Sequence, residues 1–197
     1  MIPDLGRVMV YGESAGGYLA IQSGLMRPDL VKAVVAAYPM TYIDSPWYAE
    51  AGDKHPFGIP TVSKEEVLDT YLKSMEKEKI VTSSDPYARL PLAIAALQNG
   101  LFPEILGKED EIYPARVVEK MSGEEKVPFL FVMHGTEDTA VPCEESKKFV
   151  GNWEEKFGKG SVVGKFEPGE HGFDGQAELE APWMKEGLAG VTKAWLG

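Results

Sequence analysis

Short apolar runs alternating with helix-like segments predict an α/β fold: a predominantly parallel sheet with flanking helices and a helical cap insertion. Three observations carry this. Runs at Arg7–Tyr11 (RVMVY), Lys32–Tyr38 (KAVVAAY) and Pro128–His134 (PFLFVMH) are almost continuously apolar, as strands covered on both faces must be. Helical patterns follow the first and third of these runs, and another follows the fourth run, Ser161–Glu167 (SVVGKFE). A long stretch of different composition, about 41–121, separates the second run from the third and is too long for an ordinary crossover.

Taken in order, the first strand at Arg7–Tyr11 leads into a helix over Ala15–Met26. The second, Lys32–Tyr38, leads into an aromatic, proline-rich loop, TYIDSPWYAEAGDKHPFGIP. A charged helix is predicted over Ser63–Lys79, with Ser63 and Glu66 in capping-box spacing. DPYARLPLAIAAL and a helix near Tyr113–Met121 complete the insertion, expected as a small cap over the carboxyl ends of the strands, where open α/β sheets bind ligands. The third strand precedes a helix at Glu144–Phe157. The fourth is more mixed, reads as nearer an edge, and precedes a helix at Glu178–Leu196. One domain, 1–197, is expected, with the insertion inside it.

Composition narrows the function. The net charge of −11, from 31 acidic and 20 basic residues, repels phosphate backbones and anionic lipid, so neither nucleic acid nor a membrane surface is an expected partner. The longest apolar run, Leu90–Leu97, falls far short of the ~20 residues that span a bilayer. Met1-Ile2-Pro3-Asp4 lacks the basic start and apolar stretch of a signal peptide, and a cytoplasmic location is the expectation. A single cysteine, Cys143, excludes an internal disulfide and a Cys-rich metal site. The acidic runs KEDE (Lys108–Glu111) and Glu144–Glu145 read as solvated faces, and His134, Glu137 and Asp138 do not make a convincing ligand set. No metal and no cofactor are expected.

The chemistry-bearing pattern begins where the first strand ends. Gly12-Glu13-Ser14-Ala15-Gly16-Gly17 is a G-x-S-x-G sequence in strand–turn–helix context. Such a turn strains the serine backbone and needs small residues two positions either side. It lifts the Ser14 hydroxyl above the sheet, at the positive end of the following helix. A hydroxyl is a weak nucleophile without a base, and the base needs an orienting group. Of three histidines, His55 lies in the cap loop and His134 ends the third strand, where a ring usually makes a structural hydrogen bond. His171, in PGEHGF after the fourth strand, is the candidate base. The loop after the third strand, HGTEDTAVP, offers Glu137 and Asp138. Asp138, four residues past the strand end, is the candidate orienting acid. The alternative for Asp138 is a capping role at the helix that begins near Pro142.

GESAGG, HGTEDTAVP and GEHGF resemble the α/β-hydrolase superfamily, particularly the carboxylesterases similar to hormone-sensitive lipase, and their order matches that superfamily. The resemblance covers most of the chain and is weak in the cap. It implies the C-terminal part of an α/β-hydrolase fold. It also implies hydrolysis of small-molecule carboxylic esters through an acyl-serine intermediate, with the Ala15 N–H as an oxyanion donor. Prolyl-oligopeptidase-type serine peptidases share similar motifs. The aromatic cap residues Tyr42, Trp47, Tyr48 and Phe57 favour an uncharged substrate, although such residues more often form a cap core than a pocket wall.

The chain also departs from the family. Only 13 residues of this sequence precede Ser14, and Gly16-Gly17 is its only Gly-Gly pair, so the family's His-Gly-Gly oxyanion loop is not expected within it. Loss of an oxyanion donor typically costs about a hundred- to a thousand-fold in rate. Impaired catalysis is therefore one expectation, and an inactive fragment serving as a binding or interaction module is the alternative. The strand at Arg7–Tyr11 is expected to lie at an edge of the sheet, covered by a second copy of the chain or another contact.

Overall fold

The computed structural model describes residues 4–65 and 89–197. It divides into two compact units, Met1–Tyr42 with Glu109–Gly197, and Ile43–Lys108. The first unit carries a parallel sheet in the order β1 (Val8–Glu13), β2 (Val31–Ala37), β3 (Phe129–Gly135) and β4 (Val162–Glu167). Among the described residues, β1 and β4 are the edges.

Pleating sends successive side chains to opposite faces, and both faces are apolar because helices cover both. Val34, Ala36, Leu130 and Val132 pack on one side with Ile21, Val118, Phe149 and Trp153. These last four come from α1 (Ala15–Met26), α5 (Pro114–Lys120) and α6 (Cys143–Phe157). Val35, Ala37, Phe131 and Met133 pack on the other side with Met184 and Val191 of α7 (Pro182–Leu196). Phe131 and Trp153 are almost wholly buried, and truncating either to alanine costs about 3–5 kcal/mol.

Three departures from the sequence expectation have local reasons. Tyr38, expected inside the second strand, lies just past it at φ 38°, where an extended ladder cannot continue. The last helix begins at Pro182 rather than Glu178, because a turn closes from the Ala181 N–H to the Glu178 carbonyl and proline suits a first helical position. Tyr42, expected among the cap aromatics, is buried in the sheet unit against Phe149, and its hydroxyl accepts from the Asn152 amide. The helix at Pro114–Lys120 packs in this unit against α1 and α6.

The second unit contains α2 (Pro46–Ala49), α3 (Leu90–Gln98) and α4 (Phe102–Leu106). Tyr48 packs against Phe102, with ring centroids 5.4 Å apart. A buried lysine ties this unit together. Lys54 Nζ donates to the carbonyls of Trp47, Glu50 and Leu97, and burial lowers its pKa. The Gln98 side-chain amide donates to the Lys54 carbonyl, and its oxygen accepts from the Val62 N–H. Most of the helix expected over Ser63–Lys79 lies outside the described residues.

Candidate active site

Register brings the three sequence motifs to one end of the sheet. Glu13 is level with Ala37, Ala37 with Met133, and Gly135 with Glu167. The segments carrying Ser14, Asp138 and His171 all leave from these strand ends.

Ser14 joins β1 to α1 with φ 55° and ψ −120°. A side-chain-bearing residue held there stores about 1–3 kcal/mol of strain. Its N–H donates to the Ala37 carbonyl at 2.9 Å, and its own carbonyl accepts the Tyr18 N–H. The turn is possible because position 12 has no side chain: a Cβ there would sit 2.1 Å from the Gly16 carbonyl oxygen. Gly17 lies close under Pro39 and the Ala37 carbonyl. Ala15 opens α1, and amides at a helix start have no intrahelical acceptor. Ser14 Oγ does not cap the helix, and among the described residues no hydrogen bond joins it to the His171 ring.

Asp138 is enclosed, with its side chain 0% exposed, and receives four donors. Oδ1 accepts the N–H groups of Ala140 and Val141, both at 2.8 Å. Oδ2 accepts from His171 Nδ1 at 2.7 Å and from His134 Nε2 at 3.1 Å. The His134 tautomer follows from its surroundings. Nε2 faces only acceptors, Asp138 and the Val141 carbonyl, so it carries the proton, and Nδ1 accepts from the Ser146 hydroxyl in the neutral ring. Burial alone would push the Asp138 carboxyl up. The hydrogen bonds from His134, His171 and the Val141 amide outweigh it and hold the group well below the usual carboxylate range. Asp138 caps no helix, since α6 follows Pro142 without a side-chain cap.

A carboxylate oxygen only accepts, so His171 donates its Nδ1–H to Asp138. The ring lies against Tyr38, with centroids 4.3 Å apart, and its side chain is 13% exposed. Tyr38 follows the strand whose Ala37 carbonyl holds the Ser14 amide, so it links the Ser14 turn to the histidine. Tyr38, Glu13, Tyr11 and Asp174 form a cluster beside this pair, in which the Tyr11 hydroxyl donates to Glu13. Burial, reinforced by Glu13, raises the pKa of both tyrosines and of Asp174. Sequence reasoning missed Tyr38. Its only trace is the Tyr-Pro pair after the strand.

The loops carrying Asp138 and His171 also grip each other. Thr136 N–H donates to the Glu167 carbonyl and Glu137 N–H to the Gly169 carbonyl, extending the β3–β4 ladder past the strand ends. The Glu137 carboxylate accepts the Gly169 N–H, and the Glu170 carboxylate accepts both the N–H and the hydroxyl of Thr139. Position 135 must be glycine, because a Cβ would fall 2.3 Å from the Gly169 oxygen. His55 is remote in sequence from these motifs and pairs with Asp53 in the other unit. Among the described residues, no group of three or more His, Cys, Asp or Glu side chains is placed to hold a metal ion, and no helix is long and apolar enough to cross a membrane.

A parallel sheet flanked by helices, with Ser, Asp and His motifs in that order at its strand ends, is part of the α/β-hydrolase fold, and the sequence resembles carboxylesterases. The probable carboxylesterase M8 of Phoma sp. is 27% identical over 198 residues, covering 98% of this chain and 61% of the relative. The probable carboxylesterase clz11 of Cochliobolus lunatus is 27% identical over 144 residues, covering 71% of this chain and 65% of the relative. The chain thus spans less than two thirds of either. No family model matches it. Among solved structures, a Staphylococcus aureus protein of unknown function aligns over 97% of this chain and 65% of its own, with a TM-score of 0.66 and 17% identity. The Pyrococcus furiosus esterase Pf2001 gives 0.52 at 17% identity, over 98% of this chain and 55% of its own. A Pyrococcus horikoshii acylaminoacyl peptidase gives 0.53 at 17% identity, over 98% and 25%.

Proposed function

We propose that the chain carries the catalytic centre of a serine hydrolase that cleaves small carboxylic esters through an acyl-serine intermediate. The observation that carries this reading is the enclosed Asp138–His171 hydrogen bond at the same sheet end as the strained Ser14 turn. In this reading Ser14 Oγ attacks the ester carbonyl and passes its proton to His171 Nε2. The ring returns that proton to the departing alcohol, and water then repeats the sequence on the acyl group. Asp138 fixes the tautomer and offsets the charge on the imidazolium. The Ala15 N–H at the start of α1 stabilises the developing oxyanion. The named carboxylesterase relatives support ester substrates over other acyl compounds.

Hydrolysis of p-nitrophenyl acetate and butyrate, measured beside Ser14→Ala, tests the reading. Activity that survives the substitution would overturn it. If neither ester is cleaved and Ser14 resists acylating probes, the alternative of an inactive binding module takes its place. The peptidase among the structural neighbours favours a second reading, which faster cleavage of peptide amides than of esters would support. A second copy of the chain is also proposed to cover the β1 edge, whose Tyr11 side chain is half exposed. A clean monomer by size exclusion with light scattering would refute that contact.

A further inference from the structure

We propose that Glu137 and Glu170 are positioning residues: a reciprocal clamp in which each carboxylate crosses to the opposite loop and fixes the Asp138–His171 hydrogen bond. This rests on reading His171 as the base that Asp138 orients. Each glutamate directly precedes the residue it serves and reaches the other residue's loop. Glu137, before Asp138, accepts the Gly169 N–H of the base loop, and its other oxygen accepts the Thr136 hydroxyl at 2.9 Å. Glu170, before His171, accepts the Thr139 N–H at 2.6 Å and the Thr139 hydroxyl at 2.8 Å from the acid loop. Glu170 Oε1 also accepts the His171 N–H at 2.8 Å, so one carboxylate ties the histidine backbone to the loop of its partner.

The backbone ladder reaches the base loop only as far as the Gly169 carbonyl, and the Tyr38 ring supports the His171 side chain, so the clamp acts on the turn between them. Gly169 and Gly172 bracket Glu170 and His171 with φ of 140° and 83°, and a glycine-rich loop loses much conformational freedom when ordered. The Asp138–His171 bond joins residues 33 positions apart. The glutamates add backbone anchors on both sides of that bond, and a displacement of about 1 Å can cost a hundredfold in rate. Carboxylates accepting backbone N–H groups are charge-assisted and directional. The Gly169 amide, followed by the Thr136 hydroxyl, holds the Glu137 carboxyl below its ordinary pKa, as expected for an ionised acceptor in place. Both glutamates are solvent-exposed, so their value to the molecule lies in geometry rather than burial.

The test uses the 197-residue chain with Glu137→Ala, Glu170→Ala and Glu170→Gln. The two alanine variants are expected to lower kcat for p-nitrophenyl butyrate about ten- to a hundredfold with little change in KM. Glu170→Gln retains one acceptor oxygen and is expected to recover most of the rate. A second readout needs no turnover: the downfield proton resonance of the His171 Nδ1–H, identified by its loss in His171→Gln. It is expected to broaden or vanish in both alanine variants and persist in Glu170→Gln. Should Glu170→Ala fail to fold, Thr139→Val, which removes one bond to Glu170, is expected to show the same broadening in milder form. Unchanged kcat and an unchanged resonance in the alanine variants would overturn the clamp. Lost activity with an unchanged resonance would also overturn it, because the glutamates would then act elsewhere. A chain with no esterase activity but the predicted resonance changes would count against the esterase reading and leave the clamp standing.

Discussion

The two sides of the candidate site are built by different means. The Ser14 side is made by the backbone: a φ of 55°, one amide bond to the neighbouring strand, and a glycine at position 12 with no room for a Cβ. The Asp138–His171 side is made by side chains, with four donors on one carboxylate and two glutamates spanning the loops. A steric device works or fails as a whole. A network of hydrogen bonds weakens by degrees, so damage to the first side should be abrupt and damage to the second graded.

Substitutions can break or sharpen that contrast. Ser14→Ala should lower kcat about a million-fold, the loss typical of a removed nucleophile, with no loss of thermal stability because the strained residue keeps a small side chain. Asp138→Asn should cost about ten-thousand-fold by favouring the wrong His171 tautomer, measured as kcat at pH 7. Gly12→Ala should destabilise by about 1–3 kcal/mol or more in a thermal melt and abolish acylation, because only backbone atoms could yield to the new Cβ. Ser146→Ala should act mildly. It removes the hydroxyl that His134 Nδ1 accepts and should cost about 1–3 kcal/mol of stability, with less than a tenfold effect on kcat.

The Asp138 carboxyl also sets an acid limit. Its folded pKa lies below the unfolded value of about 3.9, so its stabilisation is present above that value and is lost as pH falls through the lower, folded one. Urea melts of the wild type between about pH 5 and pH 2 should therefore show a loss of stability that Asp138→Asn does not share.

Legibility in the sequence follows the same division. The Ser14 turn is legible because sterics write it as glycines at fixed spacing, while Asp138 follows the apolar run of a buried strand and His171 the more mixed run of an edge strand. Tyr38 was hidden, since its contact with His171 depends on a left-handed backbone after β2 that no local pattern announces. Glu137 reads in sequence only as a rival to Asp138, and Glu170 carries no signal at all, because their contacts exist only where the two loops run side by side. Tyr42 shares its sequence neighbourhood with the insertion, but it packs into the sheet core. Lys54 ran against its own residue type, because three carbonyls gather around its ammonium in the interior of the second unit.

The central claim, that Ser14 is a nucleophile activated by His171, is tested most directly by covalent labelling. The chain would be treated with a fluorophosphonate and the adduct located by peptide mass mapping. One adduct on Ser14, formed rapidly in the wild type and suppressed at least a hundredfold in His171→Gln, is the predicted result. Labelling that falls elsewhere, or that proceeds equally well without the histidine, would contradict it.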